Sequence, residues 1–464
     1  MIETPVLERV LTEALRNGGE FAEVFAEDKV NSSAMLDDGR VEELSSGRDR
    51  GAGIRVVSGE TTGFAHTADL TERGLLRAAE AASAVARSGG GGTRTVASGA
   101  LRGSASKSPD GRATPTTGSK ADALELLQRA DEAARASGAG ISQVQAGFGT
   151  STRRVLIANS EGLLAGDEQA RTRFSVSCVA LGDTGMQTGY ETAARTLGFE
   201  LFDEVSVEEL ARTAASQALA KLAARPAPSG ELPVVLAGGS GGILFHEACG
   251  HGLEADHIVK NASVYAGKVG QQVASTMVTL IDDGTVGSEW GTFGVDDEGR
   301  PAQRNVLIED GILTDYLWDY LRARKEGRVS SGNGRRQSYR DLPMVRMTNT
   351  FLMPGTDDAD EIIAQTQRGV YVAKLGGGQV NTTTGDFVFG TTMAYLIEDG
   401  VITEPLRDAN LIGNGPEILQ RIDAVATDFS MTPGTCGKDG QSVPVGCGQA
   451  TMRLSGVTIG GTAE

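Results

Sequence analysis

Leu307-Ile308-Glu309-Asp310-Gly311-Ile312-Leu313-Thr314 recurs 89 residues later as Leu396-Ile397-Glu398-Asp399-Gly400-Val401-Ile402-Thr403. In each copy an Asp-Gly pair stands between apolar alternating arms. That is the strongest short-range hairpin signal, because a tight two-residue turn needs positive φ at both central positions. Two equivalent hairpins in one half of the chain predict a large antiparallel sheet or barrel. The fold class is therefore α+β and not a doubly wound parallel sheet.

Upstream of the first copy, residues 232–237 form one apolar strand, followed by Gly238-Gly239-Ser240-Gly241-Gly242 and a helix. Beyond that helix the pattern is mostly β. Arg225-Pro226-Ala227-Pro228-Ser229-Gly230 reads as a linker. It separates an N-terminal α/β domain, residues 1–225, from a β-rich, barrel-like C-terminal domain, residues 231–464.

The N-terminal domain opens with an amphipathic helix over 4–16, with Leu7, Val10, Leu11, Ala14 and Leu15 on one face. The segments FAEVFAE, SSAMLDD, GRVEELSS, GIRVVSG and TTGFAHT then read as short strands of an antiparallel meander. An alanine-rich helix over 71–87 closes the unit. Residues 88–119 are Gly, Ser, Thr and Pro with almost no large apolar side chain, so they read as a mobile loop. The pattern then repeats: a helix at 122–136, further strands, and a helix opened by Ser206-Val207-Glu208-Glu209. GIRVVSGETTGFAHT and SVSCVALGDTGMQTGYET share a strand–turn–strand character, which suggests a duplicated half-domain.

With 464 residues, 39% of them hydrophobic, the chain can bury a substantial core. Its 43 basic and 61 acidic residues give a formal charge of −18. Nucleic acid and anionic membrane both demand clustered positive charge, so neither is expected as a partner. No apolar run approaches the ~20 residues that span a bilayer. The first residues carry acids where a secretory signal carries bases, and four scattered cysteines make no disulfide framework. The expected location is the cytoplasm, with reduced thiols.

Histidine is rare, and three of the four residues fall in ILFHEACGHGLEADH: His246, His251 and His257. Glu247, Cys249, Glu254 and Asp256 stand beside them. Imidazole and thiolate are preferred zinc ligands, and a carboxylate next to the metal can serve as general base. In HExxH two histidines lie four apart on one helix face. Here His246 and His251 lie five apart, about 140° around a regular helix. They share a metal only if the helix bulges or ends between them; Gly250 is the place, and an i→i+5 turn is one device. The residues alone leave a further ligand open among Cys436, Cys447 and Cys249.

Gly238-Gly239-Ser240-Gly241-Gly242 also fits the G-x-S-x-G nucleophile elbow, with a strand before and a helix after. That fold places its histidine downstream of the catalytic acid, and no His exists beyond His257. The glycines are better read as a sharp turn into the histidine-bearing helix.

FHEACGHGLEAD, NGRRQSYRDLPMVRMTNTFLMPG, GGGQVNTTTGDFVFG and CGKDGQSVPVG closely resemble the TldD/PmbA family of zinc metalloproteases. The likeness covers nearly the whole C-terminal half, and the complete HExxxH makes it the TldD-like, metal-bearing type. By motif match the resemblance implies His246, His251 and Cys436 as zinc ligands and Glu247 as the catalytic residue. Cys249 and Cys447 inherit no role. Glu254 and Asp256 are expected as partners of the ligand imidazoles, and His257 as a candidate donor to the developing oxyanion. Gly376-Gly377-Gly378, followed by Asn381, suit a strand edge that another backbone approaches closely, an extended peptide substrate in this reading.

The resemblance implies zinc-dependent hydrolysis of amide bonds in extended or unfolded peptides, including maturation of a peptide natural product or secondary metabolite. A reading from another class is a non-catalytic, peptide-binding maturation factor with structural zinc. The family also implies a dimer around an enclosed cleft, with a PmbA (TldE)-like subunit or a second copy as partner.

Overall fold

Both Asp-Gly hairpins form. Strand Arg304–Glu309 turns into Ile312–Leu313 with Ile308 opposite Leu313, and Asp386–Glu398 turns into Val401–Arg407 with Glu398 opposite Val401. Asp310, Gly311, Asp399 and Gly400 all have φ between 48° and 84°, as the turn demands. The two hairpins do not share a sheet. The first lies at one edge of a six-stranded sheet, and the second belongs to an eight-stranded one. The computed structural model describes residues 2–85, 101–105, 118–183 and 185–461. Within the proposed loop 88–119, residues 88–100 and 106–117 lie outside the described residues, while Arg102–Ala105 pairs in parallel with residues 163–166.

The N-terminal half follows a helix–strand–strand–strand–helix pattern twice. Thr4–Leu15, Phe21–Asp37, Arg40–Ser58, Thr61–Thr67 and Glu72–Val85 make the first unit. Lys120–Ala136, Ile141–Asn159, Leu163–Gly182, Gly185–Arg195 and Val207–Leu222 make the second. The first strands of the two units pair antiparallel, which joins the units in one sheet and supports the duplication suspected from sequence. The meander's strands are longer than expected. FAEVFAE and SSAMLDD are one strand, because the polar residues between them are cross-strand partners and not a turn: Asp28 accepts from Arg48 Nε at 2.7 Å across the strand pair.

The pleat sends alternate side chains to opposite faces. Ala22, Val24 and Ala26 pack with Leu7, Leu11, Leu75 and Ala79 of two helices; full burial of each leucine is worth about 1.5–3 kcal/mol. Glu23, Phe25 and Glu27 face the C-terminal half. There Phe25 packs with Val295 and Tyr339, and Glu23 binds Arg336 at 2.6 Å.

In the C-terminal half, strands Arg368–Val380, Gly230–Leu236, Met452–Gly460, Asn410–Asn414 and Asp386–Glu398 pair in that order, and the last pairs with the first. This closes a five-stranded barrel, as the α+β reading with a barrel-like C-terminal part expects. The six-stranded sheet beside it ends in Gln441–Gln449 and the edge strand Ser430–Lys438. Among the described residues no helix is long and apolar enough to cross a membrane.

Candidate metal centre

The barrel strand Gly230–Leu236 delivers the chain to the glycine-rich turn, and the helix starts at Gly242 against strand Gln441–Gln449. A Cβ on Gly242 would lie 2.4 Å from the Gly448 nitrogen and 2.5 Å from the Cys447 carbonyl carbon. Only glycine allows this approach. Ser240 does not act as an exposed nucleophile: its hydroxyl accepts from the Leu375 N–H at 2.8 Å and ties the turn to the neighbouring strand.

One helical turn, Gly242–Phe245, runs into a π-helical turn, His246–Gly250, and then a 3₁₀ turn, His251–Leu253. The His251 N–H donates to the His246 carbonyl, an i→i+5 bond. This is the distortion that the five-residue spacing requires, and it falls where Gly250 packs directly on Met347. The two imidazoles end up with ring centroids 4.9 Å apart at 83°.

Cys436, on the edge strand Ser430–Lys438, completes the group. Its Sγ lies 3.5 Å from His251 Nε2, and one ligand atom from each of His246, His251 and Cys436 lies within 4.8 Å of the others. Geometry thus separates the cysteines that the sequence leaves open. Cys249 turns away and donates to the Phe245 carbonyl, Cys178 lies in the N-terminal core, and Cys447 contacts His246 without joining the three-residue group. Glu247 is half-buried, with Oε2 4.0 Å from His251 Nε2.

Burial alone raises a thiol, but the His246 and His251 imidazoles pull Cys436 down to about 4. Burial likewise opposes charge on His251, but Glu254 and Cys436 lift it to about 9. Burial pushes Cys249 up to about 12 and Cys178 up to about 11, so neither is a thiolate at neutral pH. The residues fit a soft divalent ion on this structure's own terms. Two imidazoles and a low-pKa thiolate converge, and His246 Nδ1 is buried with no hydrogen-bond partner.

His251 Nδ1 lies 3.0 Å from Glu254 Oε2, which fixes the ring and turns Nε2 towards Cys436. Asp256 reaches the centre only through Lys438, whose ammonium donates to Glu254 and Asp256 at 2.8 Å each and to the Val345 carbonyl. Lys438 was missed from sequence. Its signal was position, two residues from Cys436 and so on the same face of one strand. His257 groups with Glu254 and Asp256 and stands outside the His246/His251/Cys436 group.

The glycine strand is partly explained by packing. Its pairing slips between Leu375 and Gly378, and a Cβ on Gly378 would strike the Phe389 ring, so this is a bulge of the barrel wall. Gly376 sits against the Gly390 carbonyl, and Gly377 faces open space. Asn381 uses its side-chain oxygen to accept from the Thr383 and Thr384 N–H groups of its own turn. The same strand packs on the π turn. Beside it lies a cavity of about 310 Å³, lined by Gly239, Lys374, Leu375, Thr432 and Cys447.

The chain matches, in sequence, the models for PmbA/TldA metallopeptidase domain 1 at 22–86, the central domain at 114–222 and the C-terminal domain at 229–461. It is 40% identical over 451 residues to a protein of Haemophilus influenzae called a metalloprotease TldD homolog, covering 96% of this chain and 93% of that one. It is 30% identical over 281 residues to a zinc metalloprotease TldD homolog of Saccharolobus solfataricus, covering 60% and 62%. The solved structure of TldE from Thermococcus kodakarensis shares the fold, with a TM-score of 0.78 at 21% identity over 98% of this chain and 99% of that one.

Proposed function

The chain belongs to the PmbA/TldD metallopeptidase family, and from that premise we propose that it is a zinc peptidase acting on extended peptides, with His246, His251 and Cys436 as ligands and Glu247 as general base. The observation that carries this reading is the π turn, which brings two histidines five residues apart onto one thiolate. The zinc named for the Saccharolobus relative agrees with the donor set. When bound, such an ion supplies Lewis acidity, lowering the pKa of water and polarising a carbonyl.

The chain's own residues do the rest. Glu247, 4.0 Å from His251 Nε2, would take a proton from the attacking water and return it to the leaving amine as the C–O bond forms and the C–N bond breaks. Glu254, held by Lys438, keeps His251 in one orientation and one tautomer. The substrate would lie in the cavity between Lys374–Leu375 and Thr432–Pro433, with the open Gly377 at the same strand edge. Main-chain hydrogen bonds there select an extended conformation and tolerate many sequences. Unfolded chains and ribosomal peptide precursors share that chemistry.

We place the protein in the cytoplasm, paired with a TldE-like subunit that encloses the centre and restricts entry to thin segments. A homodimer would serve the same purpose, because one chain carries the whole ligand set. Light scattering of the chain alone and of a co-expressed pair decides between them; a monomer with full peptidase activity would overturn enclosure. The test of the chemistry is Glu247→Ala, which should retain zinc and lose peptide hydrolysis. Survival of activity would overturn the general-base assignment, whereas a wild-type protein that binds zinc and peptide without hydrolysing it would favour the non-catalytic reading, with a structural metal.

A further inference from the structure

A second cavity, about 190 Å³, lies between the N-terminal sheet and the six-stranded sheet, and its wall holds more positive charge than its acids balance. Lys29, Arg153, Arg171, Arg335 and Arg336 line it, against Asp296 and Asp297. Two of the cations are matched. Arg153 pairs with Glu27 and with Asp297 at 2.9 Å, and Arg336 pairs with Glu23. Asp296 is committed to backbone, accepting from the N–H groups of Glu298, Arg300 and Gly334.

The other three form no direct ion pair with a carboxylate among the described residues, although Asp297 acts on Arg171 and Arg335, and Glu27 on Lys29, through space. Arg171 donates only to the carbonyls of Trp290 and Thr292 and to the Gln169 side chain. Arg335 donates only to the carbonyls of Met347 and Pro444. Both are over nine-tenths buried, at 7% and 4% exposure. Among the described residues, Arg153 Nη2 is buried without a partner. Burial and the neighbouring arginines depress Arg171 to about 9, and burial likewise depresses Arg335 to about 10, despite Asp297. A buried guanidinium without a directly paired carboxylate is costly, and an incoming anion relieves that cost.

We propose that this cavity receives a carboxylate of the peptide substrate. The proposal rests on the peptidase reading of the neighbouring centre and adds a substrate class to it. One strand links the two sites: Thr435 lines the cavity, and the next residue is Cys436. Val443 lines the cavity and packs against Cys436. Planar guanidinium forks match a carboxylate in shape and form its strongest hydrogen bonds. The carboxylate can come from the free C-terminus of the substrate or from an Asp or Glu side chain near the scissile amide.

The experiment uses the full chain, zinc-loaded, with its partner subunit if one is required. The probes are unstructured decapeptides that differ only in a free or amidated C-terminus, and in Glu or Gln near the cleaved bond. Wild type should favour one carboxylate-bearing member about tenfold in kcat/KM, mainly through KM. Preference for the free end identifies a C-terminus; preference for Glu over Gln identifies a side chain. Lys29→Met should cut the preference below threefold while cleaving the neutral peptide as before, and Lys29→Arg should restore it. Fluorescence-polarisation binding of the same peptides to Glu247→Gln judges the cavity without turnover. Carboxylate-dependent binding with no hydrolysis by wild type would sink the peptidase reading and leave the anion site standing. Equal binding and equal cleavage of all four peptides would overturn the anion site.

Discussion

Lys438 Nζ lies 2.8 Å from Glu254 Oε2, and that carboxylate lies 3.0 Å from His251 Nδ1, so one ammonium on the strand of Cys436 orients a histidine on the opposing turn. The histidine turn and the cysteine strand are thereby locked together by a buried ion pair. Removing one partner of such a pair leaves the other charge uncompensated.

Lys438→Met should therefore destabilise the fold by about 3 kcal/mol. It should also weaken zinc binding about 10- to 100-fold, although all three proposed ligands remain. Denaturant unfolding and a competition titration with a chelating dye measure the two effects separately. Unchanged zinc affinity would mean that Glu254 positions His251 without help.

Among the cysteines, only Cys436 should matter for the metal. Cys436→Ser should bring bound zinc well below one per chain, whereas Cys447→Ala, Cys249→Ala and Cys178→Ala should keep it near one. Elemental analysis after dialysis reads this directly. Cys447 is the sharp control because it too touches His246. Equal zinc loss from its removal would transfer the ligand role.

Much of this centre was legible before any coordinates. The five-residue spacing of His246 and His251 rules out a regular helix, and the π turn is the distortion it demanded. The Asp-Gly hairpins were equally plain, since turn chemistry is local. What stayed hidden depends on residues distant in sequence. Lys438 sits in a glycine-rich stretch singled out only for its cysteine, and strand pairing carries it to Glu254, 184 residues away. Arg336 and Glu23, 313 residues apart, meet across the two halves of the molecule. Asp28 and Arg48 broke the apolar pattern and split long strands into short ones, because a cross-strand polar pair and a turn look alike in sequence.

Gly242→Ala tests the close approach at the start of the histidine helix. The added methyl carbon would meet backbone atoms of Cys447 and Gly448 at 2.5 Å or less, which no side-chain rotation can relieve. Overpacking of this kind costs about 1–3 kcal/mol. It should also push His246 away from Cys436, so zinc affinity should fall along with the melting temperature. Gly377→Ala, at a position facing open space, is the matched control and should melt within a degree or two of wild type.

The last expectation concerns pH and the contact between the two halves. Arg55 Nη2 stands 2.8 Å from Glu23 and 2.8 Å from Glu298, so two buried carboxylates share one guanidinium. Burial raises Glu298; Arg55 opposes the rise, but Asp319 and Glu23 add to it, and the result is about 7. Its folded value thus lies above the ordinary 4.5, and the folded state holds a proton that the unfolded chain has released. The stabilisation from this group is complete below about pH 4.5 and is lost as pH rises through about 7. Glu298→Gln fixes a neutral side chain and removes that dependence, whatever constant offset the substitution brings. Calorimetry of both proteins at pH 5, 6, 7 and 8 and fixed ionic strength should show wild-type Tm falling relative to the variant as pH rises. A difference that stays flat across that range would mean that Arg55 neutralises both carboxylates, with no proton held between them.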